Sequence, residues 1–172
     1  MADFSVDSLK SNLTNPQRTY LFDILIPIPV GGGDSNTLQI RAESSEIPSV
    51  GNTPINIAYK ATAGIEIAGK KLYDHSWACV FRDGEDHKIY DAMYAWTQQI
   101  THDVTGIGVG DPLYKADAYI TLLNVDGTSG SSIKLKGCWV ESIGKVSMSY
   151  TDNNIVKYPV TFRFDSFEYV SA

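Results

Sequence analysis

Cysteine is scarce in this chain of 172 residues: Cys79 and Cys138 are the whole supply, too few for the disulfide framework that staples small secreted domains. Long apolar runs are missing as well. The greasiest stretch, LFDILIPIPV, carries Asp23 and two prolines and is too short to cross a bilayer. The opening MADFSVDSLKSNL places acids where a secretory signal needs positive charge followed by an apolar run. These absences predict a soluble protein of a reducing cytoplasm with no stable membrane association, in which the sequon Asn12-Leu13-Thr14 carries no glycan. Positive charge is in short supply too. Fourteen Lys and Arg stand against twenty Asp and Glu, a net charge of −6, whereas generic binding to a phosphate backbone draws its affinity from cations that displace counterions.

What is present is ordinary for a globular domain, with 43% hydrophobic and 20% charged residues. A chain of this size buries roughly 70% of its unfolded surface, which excludes wholesale disorder. One domain over 19–172 is expected, preceded by a polar, flexible arm at 1–18.

Strand periodicity dominates. Tyr20, Phe22, Ile24, Ile26, Ile28 and Val30 alternate with Leu21, Asp23, Leu25, Pro27 and Pro29, the period of two of a half-buried strand. Gly31–Asn36 reads as a reversal, and Leu38, Ile40 and Ala42 as a returning strand. From Glu43 to Gly64 the pattern fails, because Pro48, Gly51 and Pro54 interrupt each candidate element; a structureless connection this long tends to be functional. Strands resume at Ile65–Gly69 and Leu72–Phe81. One amphipathic helix is expected at about 84–101, with Asp83 as N-cap and Ile89, Met93, Trp96 and Ile100 forming its core face. Further strands are read at Tyr114–Val125, Ile133–Val140, Ile143–Tyr150 and Val156–Phe164, with no βαβ rhythm and no internal repeat.

Chemistry-bearing patterns are thin. His75, His87 and His102 each adjoin an aspartate, but no spacing matches a metal-ligand set. Gly106, Gly108 and Gly110 imitate a nucleotide loop, yet Pro112 and a strand pattern follow where a phosphate cradle must open a helix. Ser132, Ser142 and Ser147 lack a nucleophile-elbow context. Cys79 shares a strand face with Trp77 and Phe81 and reads as core, whereas Cys138, in phase with Lys134 and Lys136, reads as the more accessible thiol. Ten tyrosines and three tryptophans could build a sugar-binding face, although most fall in phase with apolar strand positions and so read as core or subunit packing. No catalytic, cofactor or metal residue emerges.

One resemblance does. Tyr20-Leu-Phe-Asp-Ile-Leu-Ile26, Ile65-Glu-Ile-Ala-Gly69 followed by Asp74 and Trp77, the helix ending at Trp96, Ile133-Lys-Leu-Lys-Gly-Cys-Trp139, and Asp152-Asn-Asn154 before a long last strand occur in an order that resembles the tail tube proteins of contractile-tailed bacteriophages. The resemblance implies a mainly β fold of two packed, largely antiparallel sheets, sandwich- or barrel-like, flanked by one helix. It implies a structural virion protein without enzymatic activity or cofactor, assembled in the host cytoplasm. Its copies would form hexameric rings stacked into a tube inside the sheath, with baseplate initiator, tail terminator and tape-measure protein as further partners and DNA as a transient passenger. The tube of an R-type bacteriocin or a type VI secretion device shares this physics; a β-sandwich carbohydrate-binding module and a small hydrolase are the alternatives from other classes. Stacking needs a heterologous contact that propagates. The arm and the 43–64 segment, through Ile47, Val50, Asn52, Ile55, Ile57 and Tyr59, are the expected grip between rings.

Overall fold

The computed structural model describes residues 6–7, 10, 16–29, 35–59 and 63–171. In chain order the elements are β1 (Phe22–Leu25), α1 (Ser35–Arg41), β2 (Ala42–Ser45), β3 (Val50–Tyr59), β4 (Ala63–Tyr73), β5 (Ser76–Arg82), α2 (Lys88–Ile100), α3 (Asp111–Tyr114), β6 (Ala116–Leu123), β7 (Ser129–Ile143), β8 (Lys157–Arg163) and β9 (Ser166–Val170). The fold is mainly β, in antiparallel sheets that do not close into a barrel. Seven strands form one sheet in the order β1-β6-β7-β8-β5-β2, with β9 also on β7, while among the described residues β3 and β4 pair only with each other.

The long strand β7 folds the main sheet over itself. Its first part, Ser132–Lys136, pairs with β9, and its last part, Trp139–Ile143, pairs with β8. Between them sits Gly137 at φ 68, where the ladder to β6 slips: Ala116 faces Cys138, but Ala118 faces Leu135. A bulge at a left-handed glycine bends a strand and lets one strand serve two half-sheets. Those half-sheets close on a single core. Ile120, Ile133 and Leu135 from one meet Trp77, Phe81, Val160 and Phe162 from the other in one buried cluster. Helix α2 adds Ile89, Met93 and Trp96 to it, all fully buried, with Ile100 half-buried at its end. The ring of Phe162 lies 5.1 Å from that of Trp77 and 6.1 Å from that of Trp96. The Trp96 indole N–H donates to the Tyr114 carbonyl at 2.7 Å, so the one buried polar atom of that side chain is satisfied.

Several local expectations are corrected. Leu38, Ile40 and Ala42 do not form a returning strand: Ser35–Arg41 is helical, Leu38 is buried and Ile40 is 82% exposed. A helix with only one residue to bury needs no stripe, and Arg41 in its last turn donates to the Asp86 carboxylate with both terminal guanidinium nitrogens, at 2.6 and 2.7 Å. Residues 31–34 of the expected turn and most of the 1–18 arm lie outside the described residues. The segment 43–64 is not irregular, since it contains most of β2, the whole of β3 and the start of β4. Pro54 is tolerated there because a two-stranded ribbon has a free outer edge that needs no amide donor, and the ladder slips between Asn52 and Pro54.

No strand forms over Ile143–Tyr150, because β7 runs unbroken to Ile143 and the chain then leaves the sheet. Gly144 donates to the Pro159 carbonyl at 2.7 Å, and a Cβ on it would lie 2.5 Å from the Pro159 ring, so the chain turns there against β8. Helix α2 starts at Lys88, with His87 in the left-handed region at its N-cap. Asp83 lies upstream and accepts from the amides of Gly84 at 2.9 Å and Ile89 at 3.3 Å. It is not the N-cap residue, but it satisfies one amide of the first helical turn and ties the 83–87 turn to the helix. Cys138 is fully buried, contrary to its expected access. The bulge at Gly137 inverts the phase of β7, so that Ile133, Leu135, Cys138 and Val140 share the inner side.

Candidate assembly surface

The β3–β4 hairpin projects from the folded body: each strand has its main contacts with the other, and it is anchored at its base, where Tyr73 at the end of β4 packs on the core with its ring 6.4 Å from that of Phe167. At about 3.3 Å per residue, ten residues of β3 extend about 33 Å. Its register sorts its side chains. Ile55 pairs with Ile67 and Ile57 with Ile65, whereas Asn56 pairs with Glu66 and Asn52 with Lys71. Because successive strand residues point to opposite faces, one face carries Ile55, Ile57, Ile65 and Ile67, continued by Leu72 opposite Gly51. The other face carries Asn52, Asn56, Glu66 and Lys71. The four isoleucines are 47–63% exposed and Leu72 is 59% exposed. An amphipathic two-stranded ribbon with its apolar side in water is not stable alone, and contiguous apolar patches on soluble proteins mark interaction sites.

The expected grip residues are thereby divided. Ile55 and Ile57 lie on the apolar face; Val50 and Asn52 lie in phase with the opposite one; Tyr59 ends β3 opposite Ala63. Ile47 precedes the hairpin and lines a cleft on the body. Ile65, Ile67 and Leu72 were not among the expected residues, although the alternation in Ile65-Glu66-Ile67 carries the signal.

The cleft lies between β1 and β2, two of the open edges of the main sheet. A cavity of about 510 Å³ is lined by Tyr20, Phe22 and Asp23 from the β1 side and by Ala42, Glu43 and Ser45 from β2. A second, of about 240 Å³, adjoins it through Phe22 and Ser45 and is walled by Leu21, Ile47, Ile120 and Leu122. Its two carboxylates are paired within the subunit. Gln39 donates to the Asp23 carboxylate, and Glu43 pairs with Lys157 at 2.6 Å and Arg82 at 3.2 Å. Those two cations hold the Glu43 carboxyl below its usual range, Lys157 contributing most.

Elsewhere the sequence candidates disperse. Among the described residues no group of three His, Cys, Asp or Glu converges on a metal position. His75 is positioned by the Phe164 carbonyl, 2.9 Å from Nδ1. The glycine loop folds onto the C-terminal end of α2, where Val109 donates to the Gln99 carbonyl at 3.1 Å. Carbonyl oxygens face it there, the wrong polarity for a phosphate. Ser132 pairs with Thr121 across the β6–β7 ladder at 3.1 Å. Trp77 and Trp96 are core residues, while Tyr90 and Tyr94 stack on the α2 surface with ring centres 6.0 Å apart. Lysines on the body are matched by acids: Lys134 with Asp117 at 2.9 Å, Lys136 with Glu168 at 2.6 Å, and Lys115 with Asp165 at 3.0 Å.

No protein-family model matches the chain, and no curated protein matches it in sequence. Solved structures do match its fold. A chain in the tube-terminating cap of the anti-feeding prophage superposes with a TM-score of 0.68 at 18% identity, over 93% of this chain and 94% of that one. A chain of the extended sheath–tube complex of the PVC extracellular contractile injection system gives 0.67 at 16% identity, over 99% and 100%. One from the anti-feeding prophage baseplate gives 0.65 at 11%, over 92% and 98%. The fold of this chain is therefore the one found in chains of contractile injection assemblies.

Proposed function

We propose that this chain is a tube subunit of a contractile injection apparatus, a structural and non-enzymatic protein whose copies close into hexameric rings and stack into a conduit within a sheath. The observation that carries the reading is the fold match over 99% of this chain and 100% of a chain in a sheath–tube complex. That span includes a hairpin whose apolar face of Ile55, Ile57, Ile65 and Ile67 is left exposed in its own chain. A rigid conduit has no need of a catalytic centre; it needs surfaces that are unsatisfied in the free subunit and covered in the assembly. The partners are further copies of the same chain, the sheath, the baseplate initiator, the terminator and the tape-measure protein, and the place is the tail of a phage virion assembled in the bacterial cytoplasm. DNA passes through without being held, in keeping with a net charge of −6 and with lysines already paired to carboxylates.

A second reading, the tube of an extracellular injection device, is favoured by the assemblies in which the matching chains occur. Capsid and terminase genes beside this one identify the phage; their absence identifies the device. The tube role is tested by replacing Ile55 and Ile67, a cross-strand pair on the apolar face, with Asn. Size-exclusion chromatography with light scattering is expected to show large assemblies from the parent chain and monomers of unchanged circular dichroism from the variant. Equal assembly by both excludes the hairpin as a grip, and a parent chain that stays monomeric excludes the tube.

A further inference from the structure

We infer that the apolar face of the β3–β4 hairpin docks in the cleft between β1 and β2 of a second copy of this chain, a head-to-tail contact that resolves the two unsatisfied features of the subunit together. The inference rests on the tube reading and specifies which surfaces of two copies meet.

Three observations support it. Two of the open edges of the main sheet, β1 and β2, line the same cleft, and an unpaired strand edge is a template for another chain. The part of the cleft walled by Leu21, Ile47, Ile120 and Leu122 is mainly apolar, with Gln17 and Arg18 at its side, and the carboxylates of its wider part, Asp23 and Glu43, are already bonded within the subunit. The apolar part suits an occupant that brings branched apolar side chains. The hairpin offers such a row in Ile55, Ile57, Ile65 and Ile67, and both of its own strand edges are free.

A second copy is favoured over a membrane by charge. The opposite face of the hairpin mixes Glu66 with Lys71 and two asparagines, and the whole chain is acidic, whereas apolar ribbons that bind anionic lipid carry a basic polar side. It is favoured over a symmetric hairpin–hairpin dimer by the cleft, which such a dimer leaves open. Hairpin into cleft is a contact between unlike surfaces, and such contacts propagate instead of closing on a pair.

The test is disulfide trapping in assembled particles. Native Cys79 and Cys138 are 1% and 0% exposed, so new surface thiols report alone. One sample carries Ile57→Cys, a second Ile47→Cys, and a third is a mixture of the two purified proteins assembled together. Mild oxidation is expected to give crosslinked dimers in the mixture, and a ladder from a chain bearing both substitutions, with neither single variant crosslinking to itself. Self-crosslinking of Ile57→Cys overturns the inference in favour of hairpin pairing, and particles without crosslinks in the mixture overturn it while leaving the tube reading standing. Flotation of the parent monomer with phosphatidylcholine–phosphatidylglycerol vesicles, abolished by Ile57→Asp, overturns it in favour of a lipid surface. Failure of the parent chain to assemble under any condition overturns the tube reading itself.

Discussion

Replacing Gly137 with Ala tests the corner on which the two half-sheets depend. The backbone there has φ 68, and a Cβ would lie 2.3 Å from one carboxylate oxygen of Asp165 and 3.0 Å from its carboxyl carbon. A non-glycine residue in the left-handed region costs about 1–2 kcal/mol. Displacing the Asp165 carboxylate, which also holds Lys115 at 3.0 Å, adds roughly 1 kcal/mol, the low end for overpacking. The sum, about 2–3 kcal/mol, corresponds to a drop in melting temperature of roughly 4–12 °C for a domain of this size. Urea denaturation of Gly137→Ala, Asp165→Ala and the double variant separates the two parts. Removing the Asp165 carboxylate should recover the crowding part and leave the backbone part in place. A Gly137→Ala protein within 0.5 kcal/mol of the parent, or one restored fully by Asp165→Ala, would refute the reasoning. A second readout is the thiol of Cys138, which burial pushes up to about 12: loosening the bulge should raise its labelling rate.

Further outcomes follow from the same geometry. Gly108→Ala would bring a Cβ within 1.8 Å of the Ile100 carbonyl oxygen, a backbone atom that cannot swing aside; the 102–110 loop should detach from α2, read as faster amide exchange at Val109 with the core unchanged. Phe162→Ala empties the space between Trp77 and Trp96 and should cost about 3–5 kcal/mol by chemical denaturation. On acidification, carboxyls held low by their partners, Asp86 by Arg41 foremost and Asp117 by Lys134 foremost, lend stability that is present above their unfolded pKa near 4 and lost as pH falls below it. Arg41→Met should flatten that acid limb in a pH series of melting curves. At the other end, the Cys138 thiol stays neutral in the folded protein while the unfolded chain ionises from about pH 8.5. Stability is therefore full below that pH and declines toward about 12, a decline that Cys138→Ala should reduce.

The order of strands and the amphipathic helix were legible because their apolar spacing coincides with what the core buries: Trp77, Cys79 and Phe81 on β5, and Ile89, Met93 and Trp96 on α2. Periodicity misled wherever a single residue reset it. Gly137 carries no hydrophobic signal, yet its bulge turns Cys138 inward. Pro54 and Gly51 look like breakers, yet they belong to a ribbon whose outer edges make no ladder within the subunit. The candidate surface was half visible for a similar reason. Ile55 and Ile57 stand out beside their polar neighbours, but only the register with β4 shows that Ile65, Ile67 and Leu72 complete one face and that Val50 and Asn52 lie on the other. The cleft was not legible at all, since β1 and β2 are brought together by a sheet whose path runs through four other strands.

The central claim, that this chain builds a tube, is tested most directly by electron microscopy of the purified protein, alone and after incubation with a baseplate initiator. The account predicts six-fold rings about a hundred ångströms across, and stacks of them, with hairpin density extending into the neighbouring copy. A population of isolated monomers under every condition, or closed two-fold dimers joined hairpin to hairpin, would contradict it.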